Sequence, residues 1–476
     1  MSRSGLPPAQ SVVEAALAAA RAGSDASVVI VEETSEVEVR FANNTTTTNG
    51  GRRDRRVTVI SFRQVAGGMA AGVARRGGDV DIAELVGAAE EDAAGSPPAD
   101  DAAPLLETGE VEVGTTTSPA RPFGFDDPPP MTDLSVLSDV LSGLAGAFSR
   151  ARAGDHVLAG FAEHRRATEY LGSSTGLRLA HTQPTGALHL VARSNDGTRS
   201  TWAGSGTAEF TDVSIDELDA RLTARLAWAA DRIERPAGRY EVILPADAVA
   251  DLMVDVAYGA SGRNAEDGRT VFSDPSDGTR VGARLSPLPF TLRSDPAEPG
   301  LECTPFLVAG ASSADTSVFD NGLPLARTEW ISGGRLNRLR YHRAGAARSG
   351  VEPAGAIDNL ILEVPGATGS LEDLVARTER GLLLTCLWYI REVDPATMLL
   401  TGLTRDGVYV VEDGKVVGAT TNFRFNESPV DLLARATEVG APVRALGREN
   451  GEYLNRTRMP AMRIPDFNMS SVSPAN

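Results

Sequence analysis

ADAVADLMVDVAYGASGRNAEDGR, residues 246–269, reads as a helix set directly behind a short strand. Tyr240, Val242 and Leu244 alternate just before it, and Pro245 is a residue favoured at a helix start. Val249, Leu252, Met253, Val256 and Ala257 then recur at helical spacing, so one face is apolar. Asp251 and Asp255 fall elsewhere on the helix, four residues apart. The stretch contains neither His nor Cys, the residue types that hold a catalytic metal on a helix of this kind.

Outward from that helix, 476 residues suffice for two domains with separate cores, and 42% apolar with 23% charged residues is a globular composition. The net charge of −18 argues against a nucleic-acid partner, which calls for a basic face. The runs Arg52–Arg56 and Arg335–Arg348 therefore read as solvated loops or partner surface. Cys303 and Cys386 are the only cysteines, too few for a disulfide framework and suited to a reducing cytoplasm. The first twenty residues lack the apolar core of a signal peptide, and no apolar run is long enough to span a bilayer. A cytoplasmic protein with no membrane association is expected.

Residues 9–22 read as a helix, and Val37–Ala42 and Val57–Val65 as strands. The segment between the strands, NNTTTTNGGRRDRR, reads as a long exposed hairpin loop, and Gly67–Gly72 as small and flexible. A helix over Val80–Ala94, an irregular Pro-rich excursion over 95–130 and a helix over about 132–152 follow. From His156 to Phe210 the pattern is an antiparallel meander with turns at Gly172-Ser173-Ser174, Pro184-Thr185-Gly186 and Asn195-Asp196-Gly197. Ser214-Ile215-Asp216-Glu217 is a capping box for a helix burying Leu218, Leu222, Leu226 and Ile233, which ends at Arg235-Pro236. The expected class is α+β: a mixed α/β domain with an antiparallel meander over 1–235, then a β-rich domain over 236–476. In the latter, a capped helix starts at Ser370, and the apolar run Leu382–Val393 suggests a strand buried on both faces. Val408–Glu412 and Lys415–Phe425 form a hairpin at Asp413-Gly414, and Ser428-Pro429 opens a further helix. The tail from Met459 is extended.

Motifs that would carry chemistry in this chain alone are weak. Gly172-Ser173-Ser174-Thr175-Gly176 matches the nucleophile-elbow pattern, but strand-like sequence on both sides makes it a hairpin turn. His156 with His164, and His181 with His189, are eight residues apart, but no Cys, Asp or Glu at zinc-ligand spacing accompanies them. Cys386 in LLLTCLWYI reads as a core hydrophobe, and Cys303 has no adjacent His. No catalytic and no metal-ligating residue is expected.

Three long segments nevertheless carry a resemblance: ADLMVDVAYGASGRNAEDGRTVFS (250–273), SVFDNGLPLARTEWISGGRL (317–336) and WYIREVDPATMLLTGLTRDGVYVVEDGKVVGATTNFRFNESP (388–429). With the closing MPAMRIPDFNMSS they resemble the TldD/PmbA family, and more closely its PmbA (TldE) branch. The resemblance implies a heterodimeric metallopeptidase for unfolded or modified peptides. Its TldD-like subunit carries zinc on a His-Glu-x-x-x-His helix and a later Cys. Laid over that helix, Val254 and Gly259 stand where the histidines would be and Asp255 where the Glu would be, and no Cys follows Cys386. Asp255 is then expected to cap, to pair with an Arg or to be solvated. The resemblance thus implies a non-catalytic subunit with no cofactor of its own, zinc being held by the TldD-like partner. Trp388, Tyr389, Arg405, Asn422 and Arg424 are the residues expected to touch the peptide or amide substrate. Two alternatives stay open: a subunit of a related amide hydrolase of natural-product assembly, and a non-enzymatic modulator that acts through protein contacts.

Overall fold

The computed structural model describes residues 5–20, 23–110 and 123–473. In its first half, β1 (Ala26–Ala42), β2 (Thr45–Val65), β3 (Gly68–Gly77), β4 (His156–Ser173), β5 (Arg178–Ser194) and β6 (Ser200–Thr207) form an antiparallel sheet in the order β3-β2-β1-β4-β5-β6. The polar run after Asn43 is therefore strand, not the expected loop. Asn43 and Asn44 both have positive φ (51° and 58°), the backbone of a two-residue hairpin turn. Beyond the turn, Glu32, Glu33 and Glu36 of β1 lie directly opposite Arg56, Arg55 and Arg52 of β2. Arg52–Glu36 (3.0 Å), Arg56–Glu32 (3.2 Å) and the buried Arg55–Glu33 pair are closed ion pairs, and Arg165 of β4 adds a second contact to Glu32 (2.6 Å). Each cross-strand pair contributes on the order of 0.2–1 kcal/mol, so a strand without apolar alternation is held by charge matching. The second basic run is likewise paired, Arg340 with Asp315 (2.7 Å) and Arg343 with Asp320 (2.8 Å).

Two further expectations give way in this sheet. The Gly67–Gly72 segment enters β3, where Gly72 lies under α2 (Ile82–Gly95); a Cβ there would meet Ala93 N at 2.0 Å. Pro184-Thr185-Gly186 is not a turn but the interior of β5. Gly186 is the first β5 residue that pairs with β6, so Pro184 lies where that side of the strand is an edge and a missing N–H is tolerated. The other two meander turns are present, as are the helices. α1 (Ala9–Ala20) and α2 cover Val29, Val31, Val57 and Val59. α3 (Ser138–Ala153) and α4 (Ile215–Trp228) cover Phe41, Leu158 and Leu188. Ser214 caps α4 through Glu217 N (3.3 Å), but α4 ends at Trp228, so Ile233 lies beyond it. Part of the Pro-rich excursion, residues 111–122, lies outside the described residues. The sheet face opposite the helices packs Val28, Ile30 and Phe62 against Phe306 and Phe319 of the second half, with the Phe62 and Phe319 rings 4.6 Å apart.

The second half is a thirteen-stranded mixed sheet whose spine is the last strand, Thr457–Ser473. β7 (Gly238–Leu244) runs antiparallel to that spine and parallel to Arg380–Leu384. Leu360–Glu363, Asn422–Glu427 and Glu438–Ala445 also pair with the spine. The apolar run from Leu382 is two strands rather than one. Arg380–Leu384 is central, whereas Leu387–Asp394 leaves to pair with Leu399–Thr404. The break falls at Thr385-Cys386, where Thr385 N bonds Gly407 O and Arg405 N bonds Cys386 O. The Asp413-Gly414 turn is formed, but its return strand stops at Ala419 and Asn422–Glu427 is separate. The Ser370 capping box is complete, with Asp373 as its reciprocal partner. Helix α5 (Ala246–Gly259) sits behind β7, capped by Pro245 rather than containing it. Among the described residues no helix is long and apolar enough to cross a membrane.

Asn44 combines the left-handed turn with two buried bonds, Nδ2 to His156 O (2.9 Å) and Oδ1 from Leu158 N (2.7 Å). Asn44→Ala should lower stability by about 2–3 kcal/mol in urea unfolding, and Asn44→Gly should recover only the backbone share.

Candidate functional site

Helix α5 is not amphipathic in the expected sense, because residues on all its sides are buried. The polar exceptions are Asp247, Asp251 and Asp255, spaced so that all three share one face. Asp247 Oδ1 accepts Leu446 N (3.0 Å). Asp251 Oδ2 accepts Arg448 N (2.9 Å), and its Oδ1 accepts Glu449 N (3.0 Å) and Asn450 N (2.9 Å). Asn450 returns a bond to Asp251 O (2.8 Å). Complete burial pushes the Asp251 carboxyl up to about 8, against the pull of those three N–H groups. Two carboxylates of one helix thus hold the loop 446–450 by its backbone.

The loop in turn positions side chains from both halves. The Arg448 guanidinium lies over the Trp388 ring (4.5 Å) and near that of Trp202 (5.6 Å). Glu449 accepts Tyr389 N (3.0 Å) and Arg391 Nη1 (2.8 Å), and Arg391 covers the Tyr389 ring at 4.6 Å. Tyr389 is 57% exposed and has a φ of 55°, a strained backbone for a bulky residue. The sheet face turned to this region carries Glu163 and Glu169. Burial, then Glu36, Glu38 and Glu452, push Glu163 up to about 6. Burial, then Glu32 and Asp358, push Glu169 up to about 7.

Asp255, one turn on from Asp251, neither caps nor pairs with an Arg, nor is it simply solvated. Its Oδ2 is buried with no partner, and burial, then Glu392 and Glu449, push it up to about 7. Val254 of the same helix is buried, and a Cβ on Gly259 would meet Met398 Cε at 2.4 Å. A zinc ion at this helix would find one carboxylate and no nitrogen or sulfur donor, and Glu449 is already taken by Arg391 and Tyr389. Cys386 is buried with its thiol pushed well above its ordinary value, and burial pushes Cys303 up to about 12. Among the described residues no group of three His, Cys, Asp or Glu gathers as a metal site. The residues here do not fit the group.

The histidines serve packing and hydrogen bonding. His164 is fixed between Thr132 Oγ1 (2.7 Å) and Ala208 O (2.8 Å), and His189 is stacked on Phe161 with ring centroids 4.6 Å apart. His156 contacts Gly154 O (3.2 Å), and His181 contacts Gln183 (3.1 Å). Of the five residues read as substrate contacts, Trp388 and Tyr389 stand together beside the loop. Arg424 shares an outer sheet face with Trp388 across Leu403, but is exposed and donates to Thr401 Oγ1 (3.3 Å). Asn422 lines a separate cleft with Arg199 and Asp406, and Arg405 has Asp406 as its nearest acid (3.8 Å). The residues that organise the region, Arg448 and Glu449 with Trp202, escape the sequence reading. The signal for them is the series Asp247, Asp251, Asp255 on a helix otherwise apolar.

A six-stranded antiparallel sheet, a thirteen-stranded mixed sheet and a buried helix between strand and loop define a two-sheet α+β scaffold. Residues 237–471 match the PmbA/TldA metallopeptidase C-terminal domain, and the chain belongs to the TldD/PmbA family. Its fold is similar to that of TldE from Thermococcus kodakarensis, at 17% identity and a TM-score of 0.77, over 96% of this chain and 99% of that one. A candidate modulator of a DNA gyrase from Thermotoga maritima is similar at 17% identity and a TM-score of 0.74 over 96% and 99% of the two chains. A candidate modulator of DNA gyrase from Bacteroides thetaiotaomicron is similar at 13% identity and a TM-score of 0.74 over 97% and 99%. No curated protein matches the sequence.

The Asp255 carboxyl is raised above its ordinary 3.8, so the folded protein holds this proton more tightly than the unfolded chain. The penalty is absent below pH 3.8, grows as pH rises and is complete above about pH 7. Asp255→Asn should therefore raise stability at pH 8 by on the order of 2 kcal/mol and change it little at pH 4, read from urea midpoints at the two pH values.

Proposed function

We propose that this chain is the metal-free, PmbA (TldE)-type subunit of a heterodimeric zinc peptidase whose zinc is carried by a TldD-like partner. The observation that carries the reading is α5: a helix that bears Asp255 and neither His nor Cys, within a match to a metallopeptidase C-terminal domain. The partner would supply the metal-bound water, and this chain would close the chamber and position an unfolded or modified peptide. Trp388 and Tyr389, held by Arg448 and Glu449 beside Asp255, are the side chains it would offer that peptide. Backbone pairing at a sheet edge would hold an extended peptide without demanding a particular sequence.

The test is purification of this chain alone and together with a His-Glu-x-x-x-His partner from the same genome, with metal analysis and peptide hydrolysis. The pair should form a stable complex, contain zinc and cleave peptides, and this chain alone should neither contain zinc nor cleave peptides. Stoichiometric zinc or peptidase activity in the isolated chain overturns the reading. Hydrolysis of small amides but not peptides by the pair would move the substrate to the biosynthetic class.

A further inference from the structure

A second site lies on the sheet face turned away from α5, where Ile243, Leu383 and Tyr409 form a cluster apart from the main core. Between that face, α4 and the short helix Leu371–Ala376 is a cavity of about 440 Å³. Trp228, Leu371, Leu383, Val443 and Ala461 give it apolar walls. Arg225 of α4 also lines it and is only 4% exposed. Of its five N–H groups, Nη1 donates to Trp202 O (2.7 Å), and among the described residues no carboxylate stands within ion-pair distance of it.

No neighbouring charge pairs directly with this cation, and Asp247 on the same wall attracts it only from beyond ion-pair distance. Arg444 is paired with Asp212 (2.8 Å), and Arg221 is exposed and forms no ion pair among the described residues. The Asp247 carboxylate points an oxygen at Leu446 N, and Glu372 is exposed at the rim. A buried guanidinium with one neutral acceptor carries a desolvation cost that an anion in the same cavity would offset. The planar fork of Arg matches a carboxylate in two parallel hydrogen bonds.

We propose that this cavity binds a carboxylate bearing an apolar tail, with Arg225 as the anion anchor and Trp228, Leu371 and Val443 around the tail. The chemistry is shared by a free aliphatic or aromatic acid and by the C-terminal residue of a peptide. The cavity meets α5 at its Pro245 end, two helical turns from Asp255, and is independent of the reading of that site.

The experiment titrates the full chain by calorimetry with 3-phenylpropionate, its neutral amide, N-acetyl-Ala-Phe and N-acetyl-Ala-Phe-amide. Both acids should bind saturably and both amides should bind at least about tenfold more weakly, the loss expected for a charge-assisted bond. Tighter binding of the peptide acid identifies a peptide C-terminus as the source, and equal or tighter binding of phenylpropionate identifies a free acid. Arg225→Leu should abolish acid binding, and Val443→Trp, at an exposed wall position, should block it with Arg225 in place. Should Arg225→Leu fail to fold, Val443→Trp decides. Equal binding of acids and amides, no saturable binding of either acid, or binding unchanged in a folded variant overturns the proposal.

Discussion

A carboxylate buried in a helix is costly unless its oxygens are taken up, and Asp251 meets that demand with three backbone N–H groups of one loop. The arrangement depends on both parties. Without the loop, α5 would carry an unsatisfied carboxyl group in the core; without Asp251, three consecutive amides of the loop would lose their side-chain acceptor. Arg448 and Glu449 are the residues whose amides are held, so their side chains inherit a fixed position and carry Trp388 and Tyr389 with them. The order of the exposed aromatic surface therefore derives from a contact that is itself entirely buried.

Packing and hydrogen bonds account for the order of the same helix. In a metal-bearing helix, part of the local order comes from ligand bonds. Here Met398 packs against Gly259 at one end and the Asp247 and Asp251 bonds tie the helix toward the other, so packing and backbone hydrogen bonds supply that order. Asp255 is the residue left without such a role, and its raised carboxyl is the mark of that isolation.

Sequence and structure agree where local chemistry is sufficient. The Ser214 and Ser370 caps and the Asp413-Gly414 turn are written in short segments that need no distant partner, whereas the helix read over 246–269 stops at Gly259 and Gly262–Glu266 is a separate short helix. The differences fall where the deciding group is remote. Residues 45–56 look like a loop because their stabilising partners are glutamates on the other arm of the hairpin, and polar strands lack the alternation that marks apolar ones. Pro184 looks like a turn because the end of β6, which makes it harmless, is set by a strand further along. Asp251 looks like surface because its donors come from a loop near the far end of the chain. At the candidate site the missing histidines are visible in the sequence, whereas the Arg448–Trp388 stack and the Glu449–Tyr389 contact exist only once the loop is docked.

The position of β7 has a consequence for how the second half forms. This strand is made first, yet both of its neighbours, Arg380–Leu384 and Thr457–Ser473, arrive much later in the chain. Until they do, β7 has two unpaired edges and α5 has no loop to receive its carboxylates. Contacts of such long sequence separation slow folding and leave apolar strands open to wrong pairing. The second half can thus close only after its last strand has been made, and β7 keeps both edges open until then.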